Sequence, residues 1–105
     1  MYNYVIRYLK MWSGDYRKTI GFESNLDGHP IYVCNILRCG SYFFDNLIDK
    51  YDMVACFSFD GKLWIVSLYS NKIDCSEVAK RYGGGGHSGS AGFQCKELPF
   101  KMDMI

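Results

Sequence analysis

Met53-Val54-Ala55-Cys56-Phe57-Ser58-Phe59 and Leu63-Trp64-Ile65-Val66-Ser67-Leu68-Tyr69 stand on either side of Asp60-Gly61. Both runs are rich in β-branched and aromatic residues, which favour strands. Asp-Gly is a strong hairpin signal, because a type I′ turn needs positive φ at both central residues. The stretch therefore reads as an antiparallel hairpin turning at Asp60-Gly61. Upstream, Ile31 to Leu37 reads as another strand, ended by Cys39-Gly40-Ser41. Ser41 then caps an expected helix in which Phe44, Leu47, Ile48 and Tyr51 recur at i, i+3, i+4 and i+7. Downstream, Asp74 is placed as an N-cap with Glu77 three residues later, and Ile73 and Val78 fill the staple positions. Gly83 is placed to stop that helix in the left-handed conformation. Ala91 to Cys95 resumes a strand pattern, and Pro99 limits the remaining residues to an edge strand or tail.

The outer parts of the chain are less regular. Val5, Leu9 and Trp12 suggest a short amphipathic helix within Tyr2–Trp12, broken by Ser13-Gly14-Asp15. Residues 16–30 read as connection, with a short strand near Thr19 to Phe22. Asp27-Gly28-His29-Pro30 is turn-like, and His29 is expected to be exposed and idle. The resulting order is strand, helix, strand, strand, helix, loop, strand. The fold class is α/β with α+β character: a single mixed sheet with two to three helices packed on it.

With 105 residues, one domain is expected. Apolar residues at 49% and charged residues at 22% exclude a disordered chain. No apolar run approaches the roughly 20 residues that span a bilayer, and no signal peptide is visible. The net charge of +1 lacks the basic excess of a protein that grips long duplex tracks. Five cysteines, at 34, 39, 56, 75 and 95, are odd in number and show no Cys-x-x-Cys. They read as reduced thiols of a cytoplasmic protein. A zinc site from Cys34, Cys39 and His29 is a weak pattern, ordinary buried thiols being the better reading. Asp45, Asp49 and Asp52 read as a solvated face rather than metal ligands.

Six of the eleven glycines fall within residues 83–92. Such a run is entropically costly, so something must gain from the missing Cβ atoms. One gain is the approach of an anion, phosphate above all, to successive backbone N–H groups. Gly84-x-Gly86-x-x-Gly89 formally matches a dinucleotide fingerprint, but that motif follows a strand and opens a helix. Here the run follows a helix, whose C-terminus repels anions. N–H groups and side chains must then do the binding: His87 as a donor, with the hydroxyls of Ser88 and Ser90. Lys80 and Arg81 fit a basic last helical turn without any ligand role.

Tyr82-Gly83-Gly84-Gly85-Gly86-His87-Ser88-Gly89-Ser90-Ala91-Gly92-Phe93 resembles the Gly-Gly-Gly-His…Ala-Ala-Gly-Phe signature of the DHH-associated C-terminal domain of DHH phosphoesterases. The hairpin around Asp60-Gly61, the strand end Ser67-Leu68-Tyr69-Ser70 and the helix opening Ile73-Asp74 follow that family's order, so the resemblance covers roughly residues 31–95. It implies that residues 31–105 form the nucleotide- or phosphate-binding half of a two-domain phosphohydrolase. Residues 1–30 would be a helical or linker segment left from a preceding domain. By the same resemblance Gly84, Gly85, Gly86 and His87 bind phosphate or a terminal nucleotide, and Ser67 to Ser70 line the same cleft. Tyr69 stands where the family has Arg, exchanging a charge-assisted contact for one hydroxyl and a stacking ring. Manganese is implied for a partner DHH domain, in cis or in trans. No Asp-His-His occurs in this chain, so no catalytic or metal-binding residue is expected in it. The ligand class is a short oligonucleotide or a nucleotide phosphate. The alternative is a stand-alone interaction or homodimerisation module that has lost substrate binding, with Tyr2–Trp12 as its interface.

Overall fold

The computed structural model describes residues 21–36, 40–44 and 46–100. Among these residues six strands form one sheet: β1 (Gly21–Leu26), β2 (His29–Asn35), β3 (Met53–Phe59), β4 (Trp64–Tyr69), β5 (Gly85–His87) and β6 (Ser90–Cys95). Their order is β1-β2-β3-β4-β6-β5. Only β2 and β3 run parallel; the other neighbours are antiparallel. Among the described residues the helical structure is a 3-10 turn (Ser41–Phe44), the one-turn helix α1 (Leu47–Lys50) and the helix α2 (Cys75–Arg81). The mixed sheet with helices packed on it is the architecture expected from the sequence. The helix expected in Tyr2–Trp12 lies outside the described residues.

The short strand expected near Thr19 to Phe22 meets β1 at Gly21–Phe22, residues 19–20 lying outside the described residues, and β1 runs on to Leu26. From Gly21 onward the expected connection is a hairpin, β1 to β2, with Leu26 opposite His29. Its two-residue turn is Asp27-Gly28, at φ +53° and +83°. Asn25 Oδ1 accepts from the Gly28 N–H at 3.0 Å. This is the positive-φ pair that a type I′ turn requires. The Asp60-Gly61 hairpin exists too, but its turn is not of that type. Phe59 and Trp64 are the closing pair, so four residues connect the strands. Of them only Gly61 has positive φ. Asp60 instead folds the turn with its side chain, Oδ1 accepting from the N–H groups of Lys62 and Leu63 at 2.9 and 2.8 Å. The local competition between an Asx-type turn and a primed turn is invisible in the dipeptide itself.

Alternation along the strands splits the core between two faces. On one face Ile31, Val33, Met53, Ala55, Phe57, Val66, Leu68 and Phe93 pack with Cys75, Val78 and Ala79 of α2. The other face carries Cys34, Val54 and Cys56, covered by Phe43 and Phe44, with Leu47 and Ile48 of α1 against them. Among the described residues the helix expected there is two short pieces, Ser41–Phe44 and Leu47–Lys50, which cap the β2–β3 half of the sheet. That cap stops at Tyr69, whose ring lies 6.3 Å from Phe44. Cys34, Cys56 and Cys75 are buried, Cys95 is half-buried, and Cys39 lies outside the described residues.

His29 is not idle. Its Nδ1 lies 2.9 Å from Asp52 Oδ2, both side chains about one-third exposed. The pair ties the start of β2 to the residue before β3. Asp52 is thus engaged rather than solvated, whereas Asp49 is exposed and accepts from Asn71 Nδ2 at 3.3 Å, and Asp45 lies outside the described residues. No helix among the described residues is long and apolar enough to cross a membrane.

Candidate functional site

The helix leading into the glycine run forms as its sequence predicts. Asp74 is extended at the N-cap and accepts from the Ser76 N–H at 3.0 Å. At the other end the N–H of Gly83 donates to Lys80 O at 3.1 Å and that of Gly84 to Ala79 O at 2.9 Å. Gly83 has φ +85°. This pairing is a Schellman cap, and it sends the chain back across the sheet.

The segment after this cap is not an open loop. Gly85–His87 is the edge strand β5, paired residue for residue with Gly92, Ala91 and Ser90. Ser88-Gly89 is the two-residue turn between them. The turn is pinned from behind: Ser88 O accepts from the Cys75 N–H at 2.8 Å, and Gly89 O from the Ser70 N–H at 3.2 Å. As in any edge strand, half of the N–H and C=O groups of β5 point outward, away from β6.

Register then shows which expected residues meet. Directly opposed residues share a face of the sheet. Tyr69 opposes Ser90, and Ser90 opposes His87. Ser67 opposes Gly92, and Gly92 opposes Gly85. Ile65 opposes Gln94. These three rows lie on the face that Phe43 and Phe44 cover farther along, but over β4, β6 and β5 that face is open: Ser90, His87 and Gln94 are exposed. Successive rows are about 7 Å apart along the strands. Sequence reasoning missed Ile65, Gly92 and Gln94, which complete the face; the alternation Ser90-Gly92-Gln94 against Ala91-Phe93-Cys95 carried that signal. A cleft of about 520 Å³ opens beside the rows, lined by Leu63, Ile65, Ser67, Gly84, Gly92 and Gln94, among others.

Other expected residues do different work. A Cβ on Gly84 would lie 2.1 Å from Gly92 O and 2.6 Å from Phe93 Cβ. On Gly86, at φ +144°, it would lie 2.6 Å from Ala91 Cα, and on Gly92 it would lie 2.8 Å from Val66 O. The fold itself demands these three glycines. Gly85 is different: a Cβ there would meet nothing within 4 Å, and its φ is not in the left-handed region. Ser70 is buried, and its hydroxyl is committed: it donates to Asp52 O at 2.5 Å and accepts from Lys72 and Ile73 N–H at 2.9 and 3.0 Å. Ser70 therefore shapes the loop into α2 rather than facing the open side. Ser88 is exposed at the turn. Arg81 is turned away as well, toward Asp27 Oδ2 at 3.0 Å.

The arrangement of Ser67-Leu68-Tyr69-Ser70, the capped helix and the glycine-rich β5–β6 hairpin coincides with a family model, the DHHA1 domain, matched over residues 43–105. The chain belongs to the DHHA1 domain family. Among curated proteins none matches the sequence significantly. Among solved structures, the DHHA1 chain is similar to the pGpG-specific phosphodiesterase PggH of Vibrio cholerae, at 11% identity and a TM-score of 0.63 over 87% of this chain and 34% of that one. It is also similar to an uncharacterized protein of Helicobacter pylori G27, at 16% identity and a TM-score of 0.60 over 93% of this chain and 27% of that one. These likenesses concern the fold. The DHHA1 chain spans about a third of the first structure and about a quarter of the second. Among the described residues no three His, Cys, Asp or Glu side chains come together to hold a metal ion.

Proposed function

We propose that this DHHA1 domain is the nucleotide- or phosphate-binding module of a DHH-type phosphohydrolase acting on short oligonucleotides or phosphonucleotides. The observation that carries the reading is the open face on which His87, Ser90, Tyr69, Ser67 and Gly85 share adjacent rows. A phosphate over the first row accepts from the His87 ring N–H, the Ser90 hydroxyl and outward N–H groups of β5. Gly85, without a side chain and with open space before it, lets the ligand approach the backbone. Tyr69 contributes a hydroxyl or a stacking ring, in place of the charge that an Arg would bring. Ser88 sits at the turn beside the first row as a further donor. The apolar walls and the Gln94 amide of the neighbouring cleft suit the less polar part of a nucleotide. Family membership and the likeness to a pGpG-specific phosphodiesterase support this ligand class. Hydrolysis itself belongs to a manganese-bearing DHH catalytic domain, in cis or in trans, and this chain alone is inactive. Five cysteines, odd in number and without a Cys-x-x-Cys pattern, support a cytoplasmic setting.

The test is an NMR titration with a 5′-phosphorylated dinucleotide. The amides of residues 85–90 shift, and His87→Ala weakens the binding by about tenfold or more, since charge-assisted contacts are worth about 1.5–3 kcal/mol. Equal binding by the variant overturns the site. No response to any nucleotide, with a stable oligomer in sedimentation, favours the interaction-module reading.

A further inference from the structure

We infer that Asp27 is a positioning residue for the glycine-rich edge strand, acting across the fold through the hydroxyl of Tyr82. This rests on the proposed function for its binding consequence, but not for its structural one. Asp27 Oδ1 accepts from Tyr82 Oη–H at 2.6 Å, although 55 residues separate them. Tyr82 is the C-cap residue of α2, directly before Gly83 and the Schellman turn. Its ring stacks on Phe93 with centroids 4.8 Å apart and planes 24° from parallel. Phe93 in turn leaves no room beside Gly84, where a Cβ would lie 2.6 Å from its own. Asp27, Tyr82, Phe93 and Gly84 therefore form one packed series that ends at the entry to β5.

The turn alone does not explain Asp27. Its φ of +53° is met as well by Asn or Gly in a type I′ turn. What the carboxylate adds is a charge-assisted acceptor for Tyr82. The titration behaviour agrees with that geometry: Asp27 is held below the usual carboxylate range, first by the Tyr82 hydrogen bond. The Tyr82 hydroxyl is pushed up to about 12, first by burial and then by Asp27. The Arg81 contact to Asp27 is a lesser matter, because the Arg81 side chain is 59% exposed and exposed pairs hold little. The other end of the run is fixed independently, through Ser88 and Gly89. Loss of the Asp27 tether therefore frees the entry of β5 while its exit stays anchored, which loosens Gly85 from Gly92 first and His87 from Ser90 after it.

The experiment uses the full chain with Tyr82→Phe, Asp27→Asn, Asp27→Gly and the Tyr82→Phe/Asp27→Gly double variant, with Arg81→Ala as control. Hydrogen exchange at the amides of residues 84–87 is read against that of β3 and β4, beside affinity for a 5′-phosphorylated dinucleotide. In Tyr82→Phe and Asp27→Gly, exchange at residues 84–87 quickens and affinity falls about threefold to tenfold, and the double variant loses no more than either single one, as coupled partners require. Asp27→Asn, which keeps the turn but offers Tyr82 only a neutral acceptor, gives a smaller loss than Asp27→Gly, and Arg81→Ala changes neither readout. Unchanged exchange at residues 84–87 in Tyr82→Phe overturns the inference, as do additive losses in the double variant. If the wild-type chain binds no phosphorylated dinucleotide, the proposed function fails, and the exchange data alone then uphold or overturn the tether.

Discussion

Gly85→Ala tests the proposal that this glycine is kept for a ligand while its neighbours are kept for the fold. Gly84→Ala, one residue away, is its internal control. At position 84 the new methyl would sit 2.1 Å from the backbone oxygen of Gly92 and 2.8 Å from Phe93 Cα. Neither neighbour is a flexible side-chain end, so β5 must separate from β6. Overpacking costs about 1–3 kcal/mol, and a backbone clash belongs at the upper end. For a domain of this size, about 3 kcal/mol lowers Tm by about 12–24 °C. At position 85 the same methyl meets nothing within 4 Å, and φ is not in the left-handed region. The folded state loses nothing, while the unfolded chain loses freedom, so stability rises by about 0.4–1 kcal/mol. Yet that methyl projects onto the open face beside Ser67 and Gly92. A ligand atom that hydrogen-bonds β5 backbone cannot share the space, and affinity for a 5′-phosphorylated dinucleotide falls about tenfold or more, equal to about 1.4 kcal/mol. Circular dichroism melts and calorimetric titration read the two effects separately. A Gly85→Ala chain that melts no lower than wild type and binds as well refutes the claim that this glycine is reserved for a ligand. A Gly85→Ala chain as unstable as Gly84→Ala refutes the register from which the face was built.

The same geometry sets three further outcomes. His87 is exposed, so His87→Ala leaves stability within about 0.5 kcal/mol of wild type while phosphate-ligand binding weakens by about tenfold or more, read by melts and titration on one sample. Ser70→Ala removes a buried hydroxyl that serves Asp52 O, Lys72 N–H and Ile73 N–H, and lowers stability by about 1–3 kcal/mol in urea unfolding; an unchanged midpoint contradicts its structural assignment. Stability also responds to pH at both ends. Cys75, Tyr51 and Tyr82 have folded values raised from 9.0, 10.0 and 10.0 to about 11, 12 and 12, chiefly by burial. Their contribution is therefore intact below pH 9 and is lost as pH rises toward 12. Asp27 is shifted the other way, so its contribution is present above its ordinary value of 3.8 and fades as pH falls below it. Urea midpoints from about pH 2 to about pH 11 check both slopes, and Asp27→Asn flattens the acid one.

Elements with a local cause were legible in the sequence. Asp74 as N-cap, Gly83 as the left-handed stop and the two strands around Asp60-Gly61 each depend on residues within a few positions. The β1–β2 hairpin was harder, because Glu23-Ser24-Asn25 interrupts any apolar run; β1 buries only Phe22 and Leu26, four residues apart. His29 looked idle because its partner, Asp52, is 23 residues away, and no short-range pattern links them. The broken helical cap over Cys34 and Cys56 follows the shape of that half of the sheet rather than the heptad-like spacing of Phe44, Leu47, Ile48 and Tyr51.

The glycine run has more than one cause. A costly run of glycines must be compensated, but a ligand is only one source of compensation. Gly83 answers to a left-handed cap, and Gly84, Gly86 and Gly92 answer to backbone that passes within 3 Å of where their Cβ atoms would be. These four would be glycine in a domain that bound nothing. The ligand-facing set proposed for this domain is therefore drawn from the residues that the fold leaves unconstrained: Gly85, His87 and Ser90, in register with Ser67 and Tyr69. Period-two alternation sets that division, directing Gly85 and His87 to the open face and Gly86 against Ala91 toward α2. Substitutions at Gly84 or Gly86 would abolish binding whether or not either glycine touches a ligand, by unfolding the hairpin. Evidence for a ligand has to come from the positions where the fold is indifferent and the ligand is not.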